Sequence, residues 1–185
     1  MNHIINNQRG SLVLWAAIAI PLLLILAALM LDTGRFLIAR AQLQTLVDAS
    51  SLAGAMTAEV IPEKEVQTVT DDAGNPIGIE EKITGYHIEI DTEKAKEAAL
   101  KTALLNGSPS FWANQGGYFT LDETPDAEKA GWEGYPVGED SYYTRARVWM
   151  KPGFFAPVLR SFSDSNHVPI YIDSTSRAFF VNPTE

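Results

Sequence analysis

Twenty-one consecutive residues, Ser11 to Leu31 (SLVLWAAIAIPLLLILAALML), carry no charged side chain and are bracketed by Arg9 and Asp32. As a helix they cover about 30 Å, the hydrocarbon thickness of a bilayer. Lipid offers no water to backbone amides, so a single helix is the expected spanning form. The competing reading is a cleaved secretory signal, with small residues such as Ala39 and Ala41 near the cut. Its apolar region is usually only about 7–15 residues long, so the run is read as a retained anchor. Ser11 and Leu31 bound it, Trp15 lies near its start, and Pro21 interrupts it. The proline removes the hydrogen bond to the Ala17 carbonyl and is expected to bend the helix.

The remaining polypeptide is long enough for one domain with its own core. Every acidic residue lies at or after Asp32, while of the 14 basic residues only Arg9 precedes it. The part beyond the anchor is therefore strongly acidic, which excludes nucleic acid, whose phosphates demand clustered Lys and Arg. Cysteine is absent, so there is no disulfide and no thiolate metal site. Arg9 and the amino group favour an N-terminus held in the cytoplasm, with Arg35 and Arg40 weakening the asymmetry. The expected layout is a cytoplasmic leader (1–10), a transmembrane helix (11–31), a helical stalk (32–61) and an extracytoplasmic α+β domain (62–185).

Phe36, Ala39, Leu43, Leu46, Ser50, Ala53 and Thr57 recur at spacings of three and four. This narrow seam of small and apolar residues continues the helix past the membrane. It packs either on the chain's own domain or on a partner helix, which small residues let approach closely. Pro62 is expected to end the helix. Glu65–Thr70 alternates as a strand, residues 71–76 are dense in turn formers, and Lys82–Ile90 reads as the return strand. Asp91 or Thr92 caps a helix to Leu105, closed by Asn106-Gly107, with Ala95, Ala98, Ala99, Thr102 and Leu105 as its apolar face.

Further on, Tyr118–Leu121 is expected as a short strand and Pro125–Glu139 as an acidic loop. Tyr142–Met150 alternates as a strand, and Phe154–Phe162 reads as a short helix or loop. Val168–Val181 is the last strand, with Ile170, Ile172, Ala178 and Phe180 on one side. The expected class is α+β: a long N-terminal helix, then a small, mainly antiparallel sheet domain with one or two helices.

The N-terminal quarter resembles the Tad-like (TadE/TadG-type) proteins of the tight-adherence, or Flp, pilus system. The residues that carry the resemblance are Arg9-Gly10, Pro21, Asp32-Thr33-Gly34-Arg35, Leu43-Gln44, Asp48-Ala49 and Leu52-Ala53-Gly54-Ala55. It implies a pilin-like outline in the bacterial inner membrane, acting without catalysis through contacts with other pilus proteins. The alternative it leaves open is a structural subunit polymerising through its N-terminal helix into a surface filament. Gly10 would then be the processing glycine. Trp15 stands where TadE-type pseudopilins carry a glutamate, so the TadG-type pattern fits better. The von Willebrand A metal triplet of longer TadG-type proteins is missing: Asp48-Ala49-Ser50-Ser51 and Asp173-Ser174-Thr175-Ser176 both depart from it.

Asp32 and Arg35 lie within one helical turn. They read either as an interfacial ion pair marking the membrane boundary or as a docking point for another subunit, with Gly34 allowing close approach. His3, His87 and His167 are scattered, and no nucleophile elbow, metalloprotease helix or phosphate loop is present. Asp71, Asp72 and Asn75 lack EF-hand spacing and read as an ordinary turn. Glu123, Asp126, Glu128, Glu133, Glu139 and Asp140 read as a solvated acidic region beside a dense set of aromatics, Trp112 to Tyr143. Neither a cofactor nor a small-molecule substrate is expected, and no residue stands out as catalytic.

Overall fold

The computed structural model describes residues 3–126, 128–154 and 167–179, with side chains from residue 11 onward. Helix α1 runs unbroken from His3 to Ala55, through Pro21. Between residues 11 and 31 nearly every side chain is exposed on all sides, Trp15 and Pro21 included. Beyond that point one stripe becomes buried: Asp32, Ala39, Leu43, Leu46, Val47, Ser50, Ser51, Gly54 and Ala55. The chain meets water on one face only, which is why the all-round apolar pattern gives way to a stripe.

The helix stops at Ala55, six residues short of the expected end. Thr57 N–H donates to Gly54 O (3.2 Å) and Ala58 N–H to Ala55 O (3.1 Å), tightening the last turn. Pro62 is not the stop. It lies inside strand β1 (Glu59–Thr70), opposite Tyr86. Val60, Ile61, Val66, Thr68 and Val69 favour extended chain. Proline is tolerated because both strands of a two-stranded ribbon are edges. The partner strand β2 (Pro76–Glu89) returns antiparallel, with bulges at Glu63/Lys64 and Val69/Thr70. Gly74, at φ +82°, makes the left-handed turn at the tip.

Helix α2 (Thr92–Gly107) begins at Asp91, whose side chain accepts from Glu93 N and Lys94 N. Its buried stripe is Ala95, Ala99, Ala103 and Gly107, a strict four-residue repeat, and Leu105 points to solvent. Close approach to α1 decides this. A Cβ at Gly107 would lie 2.6 Å from Leu46 Cδ1, so the smallest residues must face the crossing. A short helix α3 (Pro109–Asn114), capped by Ser108, buries Trp112.

The second sheet is centred on β5 (Ser141–Met150), which pairs antiparallel along its whole length with β6 (Val168–Arg177). Its other side takes β4 (Gly131–Val137) and then the two-residue β3 (Gly117–Tyr118). β4 lies within the expected acidic loop. Gly131, Gly134 and Pro136 carry little strand propensity, so pairing with β5 rather than local preference makes it extended. Tyr142, Thr144, Ala146, Val148 and Met150 are buried beneath α1, and Tyr143, Arg145, Arg147 and Trp149 face the other way. The last strand ends at Arg177. Ile170 and Ile172 are buried as expected, whereas Phe180 and the segment 155–162 lie outside the described residues. The outcome is an α+β domain whose central helix is the C-terminal half of α1, so residues 32–55 are not a free stalk.

Candidate functional site

The segment Asp32–Thr57 of α1 carries the site. At its N-terminal end the Asp32 carboxylate is 4% exposed. It accepts hydrogen bonds from the backbone N–H of Gly153 (Oδ1, 2.9 Å) and Phe154 (Oδ2, 2.9 Å), in the loop after β5. Arg35 Nη1 stands 3.9 Å from the same carboxylate, and Arg35 Nη2 donates to Gln115 O at 2.9 Å. Two residues one turn apart thus clasp two loops of the head. A Cβ at Gly153 would fall 2.5 Å from Arg35 Nη1, the far end of a flexible side chain that would have to shift. A Cβ added at Gly34 would meet nothing within 4 Å.

Further along, Ala39, Leu43, Leu46 and Ser50 are fully buried in the chain's own head, and Phe36, Ala53 and Thr57 are half-buried. Val47, which the spacing did not mark, and the small residues Ser51, Gly54 and Ala55 widen the seam into a stripe. Their small or polar character has specific causes. Thr144 Oγ1 donates to Val47 O at 2.8 Å, and Ser51 Oγ shares a hydrogen bond with Ser176 Oγ at 2.8 Å. Trp132 Nε1 donates to Ser50 Oγ at 3.4 Å. The Tyr142 ring lies directly against Gly54, leaving no room for a Cβ. Leu37, Ile38 and Leu52 remain exposed on the helix, as does Met56 just past its end.

Among the acidic residues of 123–140, Asp126, Glu133 and Asp140 are tied to partners, while Glu123, Glu128 and Glu139 are exposed. Glu133 pairs with Arg145 (2.6 Å) across β4–β5, and Asp140 with Arg177 (2.6 Å). Hydrogen bonds from Ser141 and Arg177 hold the Asp140 carboxyl below its ordinary range. Asp126 accepts from Glu128 N and Lys129 N, its carbonyl receives Arg147 Nη1, and the bond from Glu128 N–H leads in lowering its pKa. Asp71 accepts from Ala73 N and Asn75 N, an ordinary side-chain-closed turn. Burial pushes the Tyr142 phenol up to about 12, and its hydroxyl has no hydrogen-bond partner among the described residues. Burial, then the hydrogen bond with Tyr171, also raises Tyr143. Trp112, Phe119, Trp132 and Tyr142 are core, while Tyr118 and Tyr135 are exposed.

Among the described residues no three His, Asp or Glu side chains converge to hold a metal ion. The site is a packing surface: one helix, apolar and uncovered in its first half, gripped by a sheet in its second.

Residues 10–57 match the Tad family model, described as putative Flp pilus-assembly TadE/G-like. The N-terminal segment of this chain is TadE/G-like. The match begins at Gly10 and ends two residues past α1, so it takes in both the uncovered first half of the helix and its clasped second half. It supports a pilus-associated component. No curated protein and no solved structure matches the chain.

Proposed function

We propose that this chain is a membrane-anchored, noncatalytic component of a Tad-like pilus assembly system. Residues 1–10 lie in the cytoplasm, 11–31 span the inner membrane, and the domain built on residues 32 onward works outside it. The carrying observation is that the TadE/G-like segment contains the one described helix long and apolar enough to cross a membrane, uncovered by the rest of the chain. Through its helix and head the protein contacts other pilus proteins in the same membrane. In this reading the head works by binding.

The same outline suits a pilin-like subunit whose helices pack together in a filament, and one experiment separates the two. Surface material is sheared from wild-type cells and from cells lacking this chain, imaged, and its major protein identified. Loss of pili without the chain, together with its retention in the membrane fraction, is the expected result. Filaments made mostly of this chain, beginning at Ser11 by intact mass, would replace the assembly role with the structural one. Unchanged piliation would overturn both.

A further inference from the structure

The β1–β2 ribbon belongs to neither the clasp nor the core. Among the described elements it packs extensively on no other, and no described strand covers either edge. An isolated two-stranded ribbon is marginal in water, yet its two faces are sharply different. Cross-strand partners share a face, and the bulge at Glu63/Lys64 keeps Ile83 on the side of Tyr86. One face therefore carries Val60, Val66, Ile79, Ile83, Tyr86 and Ile88, of which Ile79 is 74% and Val66 61% exposed. Its only charges are Lys64 and Glu81, which bond to each other at 2.9 Å. The other face bears Glu59, Glu63, Glu65, Glu80 and Glu89 against Lys82.

We infer that this apolar face is a self-association surface, occupied by the same face of a second copy. Charge selects the occupant. The chain carries a net −9, so most of its surface repels a copy, whereas this face is neutral. A two-fold axis running along the strands lays β1 of one copy over β2 of the other and brings each Lys64 beside the opposite Glu81. Lipid is a poorer occupant: the ribbon leaves α1 at Ala55, 24 residues beyond Leu31, or about 36 Å of helix. From Val60 to Thr68 the face is about 27 Å long, so the contact is at the small end of specific interfaces. Its strength, though not its geometry, rests on the membrane reading, since anchors sharing a bilayer raise the effective concentration.

The test uses the full chain in native membranes, where the absence of cysteine makes every introduced thiol unique. Thr68→Cys, on the apolar face, is expected to cross-link to a second copy with a short bis-maleimide, and Gln67→Cys, on the acidic face, to remain single. Equal cross-linking of both, or none of Thr68→Cys, overturns the inference. Charge inversion gives a second arm independent of folding defects. Lys64→Glu and Glu81→Lys copies, differently tagged and co-expressed, are expected to pair with each other about tenfold more than with themselves, because juxtaposed like charges are costly. A mixed pair no more abundant than the self-pairs overturns it as well. Alkaline extraction of the same membranes reports the anchor separately, so release of the chain refutes the membrane reading without deciding the ribbon contact.

Discussion

Replacing Asp32 by alanine tests whether the junction between anchor and head is an internal clasp or a docking point held for another subunit. The carboxylate accepts two backbone N–H groups at 2.9 Å each, and it is almost entirely enclosed. Hydrogen bonds to a charged group contribute about 1.5–3 kcal/mol each. Gly153 and Phe154 are themselves exposed, so their freed amides reach water and the lower figure applies. Two such bonds give about 3 kcal/mol, to which the solvent-facing Arg35 at 3.9 Å adds little. For a domain of this size that amounts to a fall in Tm of roughly 6–12 °C. Asp32→Asn keeps one acceptor oxygen and loses the charge, so it falls between alanine and wild type. The measurement is thermal unfolding of the full chain in detergent micelles, followed by the fluorescence of buried Trp112 and Trp132. Hydrogen exchange is then read at the Gly153 and Phe154 amides, which lose protection selectively. A Tm within about 2 °C of wild type for Asp32→Ala would refute the clasp. Lost piliation at unchanged stability would instead place Asp32 against another subunit.

Glycine substitutions separate close packing from open helix surface. Gly107→Ala drives a Cβ to 2.6 Å from Leu46 Cδ1 and 2.9 Å from Trp112 Nε1 and is expected to cost about 1–3 kcal/mol by urea unfolding. Gly34→Ala meets nothing and gains about 0.5–1 kcal/mol from helix propensity; a loss there shows that Gly34 packs against something after all. The Tyr142 phenol is raised from 10 to about 12, so the fold holds its neutral form. That stability is complete below pH 10 and is lost as pH climbs through about 12. Tyr142→Phe, which removes only an unbonded hydroxyl, should erase this alkaline limb with little change at pH 7, as fluorescence-monitored pH titration checks. At exposed positions of α1, Leu37→Ser with Leu52→Ser should leave Tm within about 2 °C, as surface changes do. Sheared-pili yield then reports whether these positions contact a neighbour, and a collapsed Tm would show that they are core.

The parts legible from sequence were those set by local pattern. Charge-free length marked residues 11–31, period two marked β5, and the Asp71–Asn75 turn formers marked the ribbon tip. The Asp91 cap located the start of α2. What escaped was set by contacts distant in the chain. Nothing near Asp32 shows that its acceptors are met 121 residues away by Gly153 N–H. β4 was hidden because Gly131, Gly134 and Pro136 read as loop, and only the neighbouring β5 makes them a strand. The α2 stripe turned from Thr102 and Leu105 toward Ala103 and Gly107 because Leu46 leaves room for nothing larger. Pro62 reads locally as a helix stop, yet the helix ends at Ala55 and an edge strand accommodates proline equally well.

The clasp also bears on why the matched segment reads as it does. A run such as Ala49-Ser50-Ser51-Leu52-Ala53-Gly54-Ala55 resembles a helix–helix dimer surface, where small residues let two backbones approach. Here the approaching group is the chain's own sheet. Tyr142 lies on Gly54, Trp132 donates to Ser50, and Ser176 meets Ser51. Those small residues are therefore already engaged and cannot serve a second helix without the head letting go. Beyond the span, Leu37, Ile38 and Leu52 on α1 and Met56 just past its end stay exposed, Leu37 at the edge of a groove it shares with Val168–Tyr171 of β6. Within the span the helix is uncovered all round. A neighbouring helix that leaves this head in place must therefore seat on the span and the exposed residues beyond it, not on the small-residue seam.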